Sequence, residues 1–168
     1  MPATNKLVIY NHGKDSVPWG EKTRVFAAIA EDLDWAFISP DYTALDNPDE
    51  RVAQLMAMDL SAYTAVVLVG SSMGAYVATV AAEVLKPSGL FLLAPAFYLP
   101  GYARTDFNPP SAATRVFHGW QDTIVPPEHA LRFCQQHRIR LQMLDADHRL
   151  FSVLPVLARE FEDFLRVL

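Results

Sequence analysis

Residues 66–76 read VVLVGSSMGAY, and the fold that we expect for the chain is built around them. The apolar residues at the start predict a buried strand, and an alanine-rich helical pattern follows directly. Ser72 is the centre of the Gly-x-Ser-x-Gly pattern between them, in the strand–turn–helix context that a nucleophile elbow requires. The alternative for Ser72 is a helix cap, since serine is a favoured N-cap residue. A cap does not need both Gly70 and Gly74, so we favour a nucleophile at Ser72 over the adjacent Ser71, which is not centred between the glycines.

Composition and charge place the chain among ordinary globular proteins. Of its 168 residues 51% are hydrophobic and 20% are charged, so we expect one domain over residues 1–168. The net charge of −5 gives no electrostatic support for a nucleic-acid or membrane partner. The apolar runs are short and the N-terminus lacks a signal-peptide layout, so we expect a cytoplasmic location. Cys134 is the only cysteine, which excludes an internal disulfide.

Strand-like and helix-like patterns alternate along the chain, which predicts an α/β fold with a parallel sheet. The expected strands are residues 7–10, 35–38, 65–69, 90–94, 114–118 and 140–144. Five helices are expected. The first covers about residues 19–32, the second begins after a cap at Asn47, the third covers about 73–86, the fourth about 126–137, and the last begins at about 155. The inward-facing positions expected in the second and third helices are Val52, Leu55, Met56 and Leu60, and Tyr76, Val77, Val80, Ala81 and Val84.

Two further residues follow strands in the order that a serine nucleophile needs. Asp122 comes after the fifth expected strand and His148 after the sixth. Functional groups gather at the carboxyl ends of parallel strands, where a carboxylate accepts an imidazole hydrogen bond and fixes its tautomer. The alternatives are an exposed loop aspartate and a solvated loop histidine. The order Ser72, Asp122, His148 favours a catalytic triad. His118 also ends a strand, but it precedes Asp122 and is expected to support that loop.

His12-Gly13-Lys14 follows the first expected strand and is a candidate oxyanion loop. A tetrahedral intermediate carries a negatively charged oxygen that needs backbone N–H donors. We assign this role to the backbone N–H groups of Met73 and Lys14, with Gly13 allowing the loop to turn. The alternative is a plain strand-to-loop turn that His12 caps.

Aromatic side chains near the same sheet edge are candidates for the walls of a substrate pocket. We expect Gly13, Tyr98 and Trp120 to contact substrate, although each ring is equally consistent with a core position. The spacing of the loop aspartates matches no calcium or zinc site, so we expect no bound metal; they are Asp15, Asp41, Asp145 and Asp147.

Four stretches together resemble the α/β-hydrolase superfamily: Asn11-His12-Gly13, residues 69–76, residues 118–126, and Asp147-His148. The small YqiA-like bacterial esterases are similar in their Gly-Ser-Ser-x-Gly elbow. The resemblance implies a minimal three-layer α/β/α fold, a six-stranded parallel sheet in the order 2-1-3-4-5-6, and serine esterase chemistry without a cofactor. Lys14 stands where the family more usually has an apolar residue or glycine.

Many members of that superfamily insert a helical lid after the strand that is fourth here. In this chain the interval, residues 95–113, holds only 19 residues, so we expect no sizeable cap and an open site for short acyl esters. The leading hypothesis is a carboxylic ester hydrolase acting on a small-molecule acyl ester. A thioesterase or small-amide hydrolase with the same triad, and a non-catalytic binding protein of the same fold, are the alternatives. Both a monomer and a homodimer remain open.

Overall fold

A computed structural model describes residues 5–110 and 113–168, and its centre is a parallel sheet of six strands. The strands are β1 (Lys6–Asn11), β2 (Ala36–Ile38), β3 (Ala65–Ser71), β4 (Gly89–Leu93), β5 (Thr114–Gly119) and β6 (Arg140–Leu144). Their order in the sheet is β2-β1-β3-β4-β5-β6, and every neighbouring pair is parallel. The expected sheet and its strand order are confirmed.

Helices cover both faces of this sheet. They are α1 (Glu21–Asp32), α2 (Pro48–Met56), α3 (Met73–Leu85), α4 (Pro127–His137) and α5 (Leu154–Arg166), and a 3-10 turn at Phe151–Val153 precedes α5. Residues of α2, α3 and α4 share one core cluster, whereas residues of α1 and α5 share the other. The three-layer arrangement therefore matches the expectation.

Alternation along β1 shows how the strands feed both cores. Leu7 and Ile9 belong to the cluster under α2 and α3, while Val8 and Tyr10 belong to the cluster under α1 and α5. A sheet that is covered on both faces needs apolar side chains on both, which is why its strands read as nearly continuous apolar runs.

The start of α2 follows the predicted capping chemistry. The Asn47 side chain accepts a hydrogen bond from the Asp49 N–H at 2.8 Å, and Pro48 occupies the first helical position. The expected burial of Met56 and Val84 is wrong, since these side chains are 37% and 66% exposed. Met56 is the last residue of α2, and Val84 lies on the solvent side of the last turn of α3, whose Leu85 packs against the core.

The link between β4 and β5 carries no lid. Residues 95–110 contain neither a helix nor a strand, and residues 111 and 112 of the interval lie outside the described residues. The expectation that no sizeable cap covers the sheet edge is confirmed. Within the described residues, no helix combines the length and the apolar character needed to span a membrane.

Candidate active site

Ser72 lies at the turn between β3 and α3 with φ 55° and ψ −116°. Positive φ is strained for a residue with a side chain, and such strain concentrates at functional sites. Backbone hydrogen bonds tie the turn to β4 and to the loop after it. The Ser72 N–H donates to the Leu93 carbonyl at 2.9 Å, and the Ala96 N–H donates to the Ser72 carbonyl at 3.1 Å. The strand–turn–helix elbow expected from the sequence is present.

Both glycines of the elbow are required by close backbone approach. A Cβ atom at Gly70 would overlap the backbone of Gly74 and Ala75, where α3 begins. A Cβ atom at Gly74 would overlap the carbonyl group of Asn11 at the end of β1. The two positions that distinguish the motif from a plain helix cap are therefore those where no side chain fits.

Ser72, His148 and Asp122 form one hydrogen-bonded chain at the carboxyl edge of the sheet. His148 Nδ1 lies 2.7 Å from Asp122 Oδ2, and His148 Nε2 lies 2.9 Å from Ser72 Oγ. Because an ionised carboxylate only accepts hydrogen bonds, Nδ1 carries the proton and Nε2 presents its lone pair to the serine hydroxyl. The three residues come from the loops after β3, β6 and β5.

Asp122 is buried and fully hydrogen-bonded. Its Oδ1 accepts from the backbone N–H groups of Ile124 at 2.9 Å and Val125 at 2.8 Å, and its Oδ2 also accepts from His118 Nε2 at 3.0 Å. Burial on its own raises the pKa of Asp122, but the hydrogen bonds from His118, His148 and Val125 outweigh it and hold the pKa well below its usual value. The carboxylate therefore stays ionised beside His148.

The expected oxyanion loop lies directly against the elbow. A Cβ atom added to Gly13 would be 3.7 Å from Ser72 Cβ, so the Gly13 backbone is in van der Waals reach of the serine. His12 is buried, donates from Nδ1 to the Gly13 carbonyl at 2.8 Å, and accepts from the Tyr42 N–H through Nε2 at 3.0 Å. Burial is the main reason that the pKa of His12 lies below its usual value, which keeps the ring neutral.

A cavity of about 410 Å³ opens over Ser72 and His148. Its walls come from the loops after five strands and from the start of α1, and they include Gly13, Lys14, Leu99, Tyr102, Ile124 and Phe151. Of the residues expected to contact substrate, Gly13 lines this cavity, whereas Tyr98 and Trp120 are not among its lining residues.

The placement of Tyr98 and Trp120 corrects the expectation for a pocket wall. The Tyr98 ring packs 6.2 Å from the Phe97 ring and 3.9 Å below the Arg132 guanidinium, so it faces α4 instead of Ser72. Trp120 is 58% exposed. Sequence position put both rings at the correct edge, but it did not determine the direction in which each side chain points.

Comparison with known families assigns the chain as a whole. The model of the alpha/beta hydrolase family matches residues 9–167. The chain belongs to the alpha/beta hydrolase family. This match confirms the resemblance to the α/β-hydrolase superfamily that the sequence motifs indicated. A comparison with curated proteins finds no match.

Three solved structures superpose on nearly the whole chain. A Xanthomonas campestris pv. campestris protein assigned to the alpha/beta hydrolase superfamily has a TM-score of 0.89 and 28% identity, over 98% of this chain and 99% of that one. A serine hydrolase without a lid from Xanthomonas campestris has a TM-score of 0.76 and 21% identity, over 99% and 84%. An esterase from Pyrococcus furiosus has a TM-score of 0.77 and 20% identity, over 97% and 83%. The last two identities are low, so those matches show a shared fold alone.

Arg51 is a site residue of this alpha/beta hydrolase that sequence reasoning missed. The side chain is 1% exposed and donates to the carbonyl oxygens of His12 at 3.1 Å, Gly13 at 3.2 Å, Lys14 at 3.4 Å and Leu45 at 2.7 Å. It forms no ion pair with a carboxylate in the described residues. Carbonyl oxygens accept its hydrogen bonds, and the Tyr42 ring lies 5.5 Å from the guanidinium carbon. The available signal was the position of Arg51 four residues before Leu55, on the buried face of α2.

His118 supports the Asp122 loop, as the sequence led us to expect. It is fully buried, and its Nε2 lies 3.0 Å from Asp122 Oδ2 and 3.0 Å from the Val125 carbonyl. Both partners accept hydrogen bonds, so Nε2 carries the proton. The His118 ring therefore ties the Asp122 carboxylate to the backbone of the same loop.

Proposed function

We propose that this alpha/beta hydrolase cleaves carboxylic esters, with Ser72 as the nucleophile of a Ser72–His148–Asp122 triad. The observation that carries the proposal is the hydrogen-bonded chain from Asp122 through His148 to Ser72, with contacts of 2.7 Å and 2.9 Å. Nucleophile, base and orienting acid are in hydrogen-bond reach of one another, as nucleophilic catalysis by a serine requires.

In the first half of the proposed reaction, His148 Nε2 takes the Ser72 proton while Oγ attacks the ester carbonyl. Asp122 keeps its hydrogen bond to Nδ1 and stabilises the imidazolium that forms. The tetrahedral intermediate then expels the alcohol, which receives the proton from Nε2. The products of this half are the free alcohol and an acyl group on Ser72.

In the second half, a water molecule replaces the alcohol. His148 removes a proton from the water as its oxygen attacks the acyl carbonyl, and collapse of the intermediate returns the proton to Ser72 Oγ. The carboxylic acid leaves, and the triad regains its starting protonation.

Backbone N–H groups of Met73 and Lys14 supply the proposed oxyanion hole. Met73 is the first residue of α3, so the helix has no acceptor for its N–H. The carbonyl of Gly13 accepts from His12 and Arg51, and the Lys14 N–H of the same trans peptide points in the opposite direction. One such donor is typically worth about 3 kcal/mol to the transition state.

Short-chain esters fit the proposal best. The cavity over Ser72 has a volume of about 410 Å³, and the uncapped interval over residues 95–110 contributes only Leu99 and Tyr102 to its walls. The Pyrococcus furiosus protein of the same fold is an esterase, which agrees with this choice of substrate class.

Turnover of p-nitrophenyl acetate and p-nitrophenyl butyrate tests the proposal. We expect the wild-type protein to hydrolyse both esters and Ser72→Ala to lower kcat by at least about 10⁴-fold. Matching circular dichroism spectra and Tm values of the two proteins provide the folding control. Turnover in Ser72→Ala at the wild-type rate would show that Ser72 is not the nucleophile. If the wild-type protein hydrolyses acyl thioesters but not esters, the substrate class is a thioester instead of a carboxylic ester.

A further inference from the structure

Lys22 is a buried cation inside the cavity that the proposed mechanism does not use. It is the second residue of α1 and only 8% exposed, yet it lines the same cavity as Ser72 and His148. Within the described residues, no carboxylate forms an ion pair with its ammonium group. Burying a charge without a counter-ion is unfavourable. Burial is accordingly the main reason that the pKa of Lys22 is lowered to about 8.

The Ser71 hydroxyl and the Phe151 ring lie beside the Lys22 ammonium, and Nζ is 5.3 Å from the centre of that ring. Lys22 Nζ lies 3.5 Å from Ser71 Oγ, which is a long hydrogen bond that leaves donor capacity free. Burial raises the pKa of Tyr10, and the side chains of Thr23 and Ser71 near its hydroxyl act against that rise. Tyr10, Thr23 and Ser71 line the cavity as well. We call Tyr10, Lys22, Thr23 and Ser71 the Lys22 subsite.

The other charges around the cavity do not neutralise Lys22. Four exposed charged residues line the cavity, the positive Lys14 and Arg149 and the negative Asp15 and Glu21, and their formal charges sum to zero. After burial, the exposed Asp147 and Arg149 have the next effects on the pKa of Lys22, and they act in opposite directions. The buried charge on the cavity lining is that of the Lys22 ammonium. Solvent screens the exposed groups, whereas the buried one acts at full strength on a group placed beside it.

We propose that the Lys22 subsite binds a carboxylate of the substrate, so that the preferred ester carries a negative charge close to its scissile bond. The inference rests on the proposed esterase function and names its substrate class. Ser71 touches Lys22 and directly precedes Ser72, so the carboxylate and the ester carbonyl are separated by a short carbon chain. The ammonium supplies the charge, and the hydroxyl groups supply further donors to the carboxylate oxygens.

Matched pairs of esters test the subsite. Monomethyl succinate carries its charge on the acyl side and is compared with methyl 4-methylpentanoate, in which an isopropyl group replaces the carboxylate. O-acetylglycolate carries its charge on the alcohol side and is compared with isobutyl acetate. We expect kcat/KM for at least one anionic ester to exceed that of its neutral partner by about ten-fold or more, the value of one charge-assisted hydrogen bond.

Two variants assign that preference to a residue. Lys22→Met keeps an unbranched side chain without the charge, and we expect it to lose the preference for the anionic ester. Arg24→Met removes an exposed cation from the same helix and is expected to retain the preference. Equal kcat/KM for both members of both pairs in the wild type, or an unchanged preference in Lys22→Met, would overturn the subsite while leaving the esterase intact.

Raising the pH provides a second readout. The pKa of Lys22 is about 8, with Asp147 acting to raise it and Arg149 to lower it. Glu21 lines the same cavity, and burial raises the pKa of Tyr10, so that its hydroxyl stays neutral. Between about pH 7 and about pH 9.5 the ammonium loses its proton, so the anionic-to-neutral ratio should fall towards one. A ratio that is constant over this range contradicts the assignment to Lys22.

Calorimetry separates failure of the subsite from failure of the esterase. Succinate is titrated into Ser72→Ala protein with and without the Lys22→Met substitution, in a measurement that needs no turnover. Heat of binding that disappears with Lys22→Met supports the subsite even if no ester is cleaved. Absence of succinate binding to Ser72→Ala, when the wild-type protein hydrolyses neutral esters, overturns the subsite alone.

Discussion

Replacing Arg51 with methionine should perturb the proposed oxyanion loop without changing a residue of the proposed triad. The guanidinium donates to the carbonyls of His12, Gly13 and Lys14 at 3.1, 3.2 and 3.4 Å, so the variant removes three contacts to one loop. A hydrogen bond from a charged donor is worth about 1.5–3 kcal/mol, and removal of the buried charge offsets part of the loss. We expect the free energy of unfolding to fall by about 2–4 kcal/mol.

Catalysis should weaken together with the loop. The Lys14 N–H belongs to the peptide whose Gly13 carbonyl Arg51 holds, so a free loop no longer fixes the proposed oxyanion donor. Loss of one well-placed donor costs roughly 3 kcal/mol, or about 100-fold in rate. We expect kcat for p-nitrophenyl butyrate to fall between about ten-fold and about 100-fold, with a smaller change in KM, because the donor acts mainly in the transition state.

The assay is run well below the Tm of each variant, so that loss of folded protein does not imitate loss of kcat. Arg51→Lys keeps the charge without the planar fork and should give an intermediate kcat. Arg24→Met removes an exposed arginine from α1 and is the control for loss of one positive charge. If Arg51→Met is less stable yet keeps the kcat of the wild type, the reasoning about loop positioning is refuted.

Three further predictions concern the acid and the elbow. Asp122→Asn should lower kcat by about 10⁴-fold, since the amide no longer fixes the Nδ1–H tautomer of His148. The pKa of Asp122 is lower in the folded protein than its unfolded value of about 3.9. The ionised carboxylate therefore stabilises the fold at pH values above about 3.9, and this stabilisation is lost as the pH falls through the folded pKa. Urea unfolding at decreasing pH should therefore show a shallower loss of stability in Asp122→Asn than in the wild type. Gly74→Ala should unfold at lower temperature, because its Cβ overlaps the Asn11 carbonyl, and an unchanged Tm would contradict that clash.

Much of the fold was predictable because its signals are local. Buried strands such as β3 read as apolar runs, and Asn47-Pro48 carries its capping chemistry in consecutive residues. The elbow was equally readable, since overlap of the backbones requires Gly70 and Gly74 on either side of Ser72. Each of these features depends on neighbours in the chain, and a sequence displays such neighbours directly.

Charged residues that are buried by distant parts of the chain were not predictable in this way. Arg51 and Lys22 lie on helices whose charges are otherwise exposed, and local pattern assigns such residues to solvent. Arg51 is buried because the His12–Lys14 loop, far away in sequence, supplies carbonyl acceptors. Lys22 is buried because α1 begins beside Ser71. Both positions depend on packing between elements, which periodicity does not encode.

Side-chain direction in loops was the other limit. Tyr98 and Trp120 lie at the expected edge of the sheet, but the Tyr98 ring contacts Arg132 of α4 and the neighbouring Phe97 ring, and Trp120 is exposed. The position of a residue after a strand determines the edge of the sheet at which it lies. The backbone angles of the loop determine the direction in which its side chain points. Tyr98 has φ 60°, a left-handed conformation that its sequence neighbours do not predict.

Covalent labelling with a fluorophosphonate probe tests the central claim most directly, because the probe reacts with an activated serine and not with an ordinary one. The labelled protein is digested, and the modified residue is located by mass spectrometry. We predict one modification, at Ser72, that is absent from Ser72→Ala and strongly slowed in His148→Ala. Labelling that maps to Ser71, or folded wild-type protein that does not react at all, would contradict the assignment of Ser72 as the nucleophile.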